Sequence, residues 1–156
     1  MSLPANSQDK PKRGPSTPEE RQAAVEIATY LENNPLGKDA KDKRTLVMRF
    51  LIEVPDISVS VCPAIFGPAK EFKGDYETEL VVQSAISQAK FIILNPEKAK
   101  DKEAVQLAGA RGTLTAWKAI KTQKPKAKFK LLDALLEKES NGTLIEFLKS
   151  NVSNCN

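Results

Sequence analysis

From Thr17 onward the apolar residues of this chain return with a helical period, segment after segment, and most segments end at a proline or an Asn-Pro pair. The first segment opens with Thr17-Pro18-Glu19-Glu20. A threonine followed three residues later by glutamate is a capping box, and proline suits the first helical position because a helix leaves that N–H unpaired anyway. Ala24, Ile27, Ala28 and Leu31 then recur at i, i+3, i+4 and i+7, and Asn33-Asn34-Pro35 stops the helix. A second helix is expected from about Asp39 to Val54, burying Leu46, Val47, Phe50, Leu51 and Val54 and closed by Pro55. Gly74-Asp75 opens a third that runs to about Leu94. Its Val81, Val82, Ala85, Ile86, Ala89, Ile92 and Ile93 cover more than one face, which marks it as the central helix. A fourth, from about Asp101 to Gln123, carries Val105, Ala108, Gly112, Ala116 and Ile120 on one side, with Leu107, Leu114 and Trp117 adjoining. A fifth runs from about Ala127 to Lys138, and after the Asn141-Gly142 turn Thr143 caps a short last helix containing Leu144, Phe147 and Leu148.

One stretch breaks the period. Ile57, Val59 and Val61 alternate as in a strand, but no comparable second strand exists to pair with, and an isolated strand is not stable. Residues 56–68 therefore read as an irregular extended connector whose apolar side chains plug the core. The expected fold is all-α: a single compact bundle of five or six helices spanning residues 17–153. Residues 1–16, with three prolines and almost no apolar side chains, are expected to be a disordered tail. Gly109 and Gly112 each cost the fourth helix about 1 kcal/mol of propensity. Close packing against the central helix offsets that cost; a kink or a ligand contact is the alternative.

The function classes narrow on one count: there is no histidine. That removes the common general base near neutral pH, the usual hydrolytic triads and the commonest metal ligand together. Two cysteines without histidine cannot complete a structural zinc site. No catalytic residue, metal or cofactor is assigned. What remains for an enzyme is carboxylate, lysine, tyrosine or lone-cysteine chemistry. The net charge of +4 is mildly basic, and no apolar run approaches the roughly 20 residues of a membrane span.

Leu31-Glu32-Asn33-Asn34-Pro35-Leu36, Leu51-Ile52-Glu53-Val54-Pro55-Asp56-Ile57, Val59-Ser60-Val61-Cys62, Ala108-Gly109-Ala110-Arg111-Gly112 and Trp117-Lys118-Ala119-Ile120 give most of residues 17–150 a distinctive texture. In it the chain resembles a family of uncharacterised bacterial proteins, mainly from soil bacteria such as acidobacteria, that have a leader peptide and then a helical domain of this length. The resemblance implies export, to the periplasm or outside the cell, and brings no catalytic residue with it. Met1-Ser2-Leu3 running into a Pro/Ser/Lys stretch fits a start joined to a mature N-terminus; the alternative is a cytoplasmic protein with a ragged native tail. In an exported protein Cys62 and Cys155 can pair, closing a loop of roughly 94 residues and contributing about 4–5 kcal/mol on a chain-entropy basis. The alternative is a buried Cys62 and a free, exposed Cys155.

Three further features are candidates for binding. Between Ala104 and Leu132 no acidic residue occurs, while Arg111, Lys118, Lys121, Lys124, Lys126, Lys128 and Lys130 all do. Such a face suits an anionic polymer or lipid headgroup, or else the lysines simply complement the end of the fourth helix and solvate the turn after it. With only Trp117 and Phe129 interleaved, stacked bases are poorly provided for, which argues against nucleic acid. Arg111 between two glycines could receive a ligand carboxylate or phosphate, or make an ion pair, for which Glu53 among apolar neighbours is the expected partner. Tyr30, Tyr76 and Trp117 line a cleft or, as aromatics at helical spacing usually do, the core. The expected function is that of a non-enzymatic binding or interaction protein of the bacterial cell envelope, its partner an envelope protein or small envelope component. The alternatives are a binder of anionic polymer or lipid and, third, a carboxylate-dependent enzyme using Glu53 with Arg111.

Overall fold

The computed structural model describes residues 13–155, and among them it holds six α-helices and no strand. The helices are α1 Pro18–Asn33, α2 Ala40–Glu53, α3 Glu77–Leu94, α4 Lys102–Gln123, α5 Lys130–Ser140 and α6 Leu144–Asn151. Short 3₁₀ turns fill the connector at Pro63–Phe66 and Ala69–Glu71, follow α3 at Pro96–Lys98 and close the described chain at Val152–Cys155. No helix among the described residues is long and apolar enough to cross a membrane. The capping box forms as the sequence dictates: Thr17 Oγ1 accepts from the Glu20 N–H at 3.2 Å, and the Glu20 carboxylate accepts from the Thr17 N–H at 2.9 Å.

The axis of the molecule is the pair α3 and α4, against which α1 packs along one side. Helix α2 closes over α1 and α3, burying Ala24, Ala28, Leu31, Val47 and Ile86 between them. At the other end α5, α6 and the Pro63–Phe66 turn wrap α4 around a core centred on Trp117, which has no exposed surface. Phe66, Phe72, Phe129 and Trp117 form a chain of tilted and edge-on rings with centroids 4.8–5.8 Å apart. The indole N–H of Trp117 donates to Asp133 Oδ1 at 2.8 Å, so the largest buried side chain leaves no polar atom unpaired.

Several expectations need correction. Leu46 is not part of the stripe on α2: it is 58% exposed, and Phe50 is only half-buried. The stripe is the narrower Val47, Leu51, Val54 line, because α2 covers one edge of the bundle rather than sitting between two neighbours. In the connector Ile57 and Cys62 are buried, Val59 is half-buried, and Val61 is exposed. Helix α3 starts at Glu77, with Tyr76 left-handed (φ 61°) at the cap, because the Asp75 carboxylate is used elsewhere: Oδ2 accepts from the Lys128 N–H at 2.7 Å. Residues 127–129 are extended instead of helical, since Ala127 and Phe129 both point into the core. Thr143 makes no side-chain cap; Asn141 Oδ1 instead accepts from the Thr143 N–H and hydroxyl. Residues 1–12 of the expected tail lie outside the described residues, but residues 13–16 pack. Ser16 is buried and gives both its N–H and its hydroxyl to Asp56, at 2.8 and 2.6 Å, while Arg13 pairs with Glu20.

Candidate functional site

The most buried helix is also unexpectedly polar. Gln83, Ser84, Ser87 and Gln88 are all buried on α3, on the side that meets α4. They fit there because α4 offers glycine opposite them. A Cβ at Gly109 would lie 2.8 Å from both Gln88 Cγ and Ser84 O, and one at Gly112 would collide with the Ser87 side chain. Close packing is therefore what the two glycines supply. The polar stripe reaches the surface on both sides of this seam, through Ser87 on one and Gln88 on the other.

On the Ser87 side lies a hollow of about 230 Å³ bordered by Glu32, Lys90, Arg111 and Thr115. Gln83 Nε2 donates to Ser87 Oγ at 3.0 Å, Ser87 Oγ donates to Glu32 Oε1 at 2.8 Å, and Lys90 Nζ meets Glu32 Oε2 at 2.8 Å. Arg111 is exposed and makes no ion pair or hydrogen bond of its side chain among the described residues. The carboxylate on its hollow is Glu32, not Glu53. Glu53 is exposed at the end of α2, where it borders an apolar groove with Arg49 and Phe50. The reason is topological: the inward line of α2 is Val47, Leu51 and Val54, which turns residue 53 outward, and α2 packs on α1 and α3 while Arg111 belongs to α4. The expected Arg111–Glu53 pair does not form.

On the Gln88 side the extended connector finds its substitute for a strand partner. Gln88 Nε2 donates to Ser60 O at 2.7 Å and Gln88 Oε1 accepts from the Ser60 N–H at 3.1 Å, so one side-chain amide satisfies the backbone of Ser60 as a neighbouring strand would. Gln106 of α4 donates from Nε2 to Ser60 Oγ at 2.8 Å, while its own Oε1 is buried with no partner. Above these amides opens a cleft of about 580 Å³, walled by Ser58, Ser60, Val105 and the Val152–Cys155 turn, with exposed Lys100 and Lys102 on its border. Neither lysine has an ion-pair partner among the described residues. Cys155 on the cleft wall is bonded to Cys62, with Cα atoms 5.5 Å apart, and Cys62 opens the turn whose Ile65 carbonyl accepts from Asn151 Nδ2 at 3.1 Å. The disulfide thus holds the C-terminal end of the chain in place as one wall of the cleft.

The basic residues do not form one continuous face. Lys118 pairs with Glu139. Lys121 donates to Ala127 O at 3.1 Å, lies 3.9 Å from Asp133 and sits over the Trp117 ring, which is the helix-end role expected of it. Lys124, Lys126, Lys128 and Lys130 are exposed, and their ammonium groups have no acidic partner. Tyr76 borders an open hollow of about 640 Å³ beside Lys124 and Lys126, whereas Trp117 is core; Tyr30 stacks under Lys43 and fills the space at Gly37. Among the described residues no group of three or more His, Cys, Asp or Glu side chains is placed to hold a metal. Comparison with family models, curated proteins and solved structures finds no match.

The helical period of the apolar residues alone does not reveal the two glutamines and the serines of α3. The usable signal was present: Gln83, Ser84, Ser87 and Gln88 fall at i, i+1, i+4 and i+5, which is itself a helical stripe, opposite the i, i+3 glycines of α4.

Proposed function

We propose that this chain is a non-catalytic binding domain of an oxidising, extracytoplasmic compartment, and that it holds a small oxygen-rich ligand bearing an acidic group in the Ser60–Gln106 cleft. The observation that carries the reading is the composition of that cleft: two buried amides on its floor, one amide oxygen without a partner, exposed serine hydroxyls on its walls, and two unpaired lysines at its border. A cleft of about 580 Å³ lies within the usual range for small-molecule sites, and convergent polar groups against Val59, Val105 and Val152 are the usual lining. Unpaired buried polar atoms are uncommon in folded proteins, and a ligand donor is one way to satisfy them.

The compartment is supported by the disulfide, which persists where thiols are not kept reduced, and by the resemblance to leader-bearing bacterial proteins. The carboxylate-dependent alternative is not favoured, because Glu53 and Arg111, the two residues it needs together, border different hollows. Thermal-shift titration with hexuronic acids, amino sugars, dicarboxylates and dipeptides tests the reading. The expected result is a saturable rise in melting temperature with at least one class, abolished by Lys100→Ala/Lys102→Ala. No stabilisation by any class, or stabilisation that survives the double substitution, overturns it.

A further inference from the structure

The lysine-bearing segment after α4 is built differently from an ordinary solvated loop. From Lys126 to Lys130 the burial alternates: Lys126, Lys128 and Lys130 are exposed, while Ala127 and Phe129 between them are buried. Lys126 ends the turn after α4 and Lys130 begins α5, with 127–129 extended between them, so the three lysine stems all leave the outward side of the segment. The backbone that carries them is pinned at several points. Phe129 inserts between Phe72 and Trp117, Asp75 brackets Lys128 through both its N–H and its carbonyl, and Lys121 holds the Ala127 carbonyl. Gly74 allows this approach, since a Cβ there would lie 2.7 Å from Lys128 O.

The local acids are used up in the same construction. Asp75 accepts from the Lys128 backbone, and Asp133 from the Trp117 indole with Lys121 beside it, and neither forms an ion pair with Lys124, Lys126, Lys128 or Lys130. The strip therefore carries three lysines without an ion-pair partner among the described residues, on a pinned backbone, with Lys124 across the turn as a fourth. Several cations presented in sequence along a pinned backbone match a linear chain of anions better than a single ion. Ala127 and Phe129 face inward, so the segment offers no large apolar side chain to insert into a bilayer, and half-buried Tyr76 beside Lys124 and Lys126 is a single ring rather than the series that stacked bases need.

We propose that Lys124–Lys130 is a docking strip for a linear polyanion recognised by charge, separate from the Ser60–Gln106 cleft, with which it shares no lining residue. The test uses the whole chain and inorganic polyphosphate, with orthophosphate and phosphatidylglycerol vesicles as comparison probes. Binding is expected to fall steeply with salt, with a log–log slope of about −3 for four contacts. Lys126→Gln/Lys128→Gln/Lys130→Gln should flatten that slope by about 2 and weaken binding more than tenfold at low salt. Lys38→Gln/Lys41→Gln/Lys98→Gln, equal in charge change and elsewhere on the surface, should leave the slope nearly unchanged. The proposal is overturned if the two triple variants lose affinity equally, if orthophosphate binds as tightly per phosphate, or if only the vesicles bind.

Discussion

Replacing Gly112 by alanine is the sharpest perturbation of the seam on which both polar hollows depend. By helix propensity alone the change should stabilise α4 by about 1 kcal/mol. The structure reverses the sign. The added Cβ would overlap both Cβ and Oγ of Ser87 and lie 3.1 Å from Glu32 Oε1, and α3 cannot yield without breaking the Gln83–Ser87–Glu32 chain. Overpacking of this kind costs about 1–3 kcal/mol, and losing a hydrogen bond to a carboxylate costs about 1.5–3 kcal/mol. Against the propensity gain, the expected net loss is about 2–4 kcal/mol, which for a domain of this size lowers the melting temperature by about 5–15 °C. Urea unfolding followed by Trp117 fluorescence measures it. Ser87→Gly/Gly112→Ala removes the overlap and should recover at least about 1 kcal/mol relative to the sum of the single changes. A Gly112→Ala variant as stable as the parent, or a double variant that is merely additive, would refute the close-approach argument.

Three other outcomes follow from the same geometry. Cys62→Ala/Cys155→Ala, or reduction, frees a chain separation of 93 residues and should cost about 2–5 kcal/mol, the chain-entropy value being the upper end; identical melting with and without reductant would contradict the structural role of the bond. Asp133→Ala leaves the buried Trp117 N–H without its acceptor and should cost about 2 kcal/mol with a change in near-UV circular dichroism, whereas an unaltered spectrum would show that the hydrogen bond is dispensable. The Ser16 hydroxyl and N–H hold the Asp56 carboxyl below its ordinary range, and the Thr17 N–H and Arg13 do the same for Glu20. A depressed folded pKa means stability that is fully present above the unfolded value of about 4 and lost as pH falls through the lower folded value. Acid titration should therefore release the Ser16 amide below about pH 4 in the parent, while in Asp56→Asn that amide should show no such transition; a matching transition in both would point to another group.

The fold was largely legible because helix starts and stops are local chemistry. Thr17-Pro18-Glu19-Glu20 forms a capping box in any surroundings, and Pro35, Pro55 and Pro96 end helices for reasons within a few residues of themselves. The site was not legible for the opposite reason. Whether Glu32 or Glu53 shares a hollow with Arg111 depends on which face of α4 takes α1, a relation between residues some eighty positions apart. The buried glutamines and serines of α3 look like a solvent face until α4 is laid over them. Likewise the 56–68 connector has no strand partner among the described residues, yet its polar backbone is paired at Ser60, by a side chain 28 residues away.

The most direct test of the binding reading is a backbone-amide NMR titration of the 17.1 kDa chain with the same uronic acid, amino sugar, dicarboxylate and dipeptide probes. The account predicts saturable shifts centred on Ser58, Ser60, Gln88, Lys102, Gln106 and Ser153, with the Gln106 side-chain amide among the most perturbed. Shifts that leave those residues untouched, or that gather instead around Arg111 and Glu32, would contradict it.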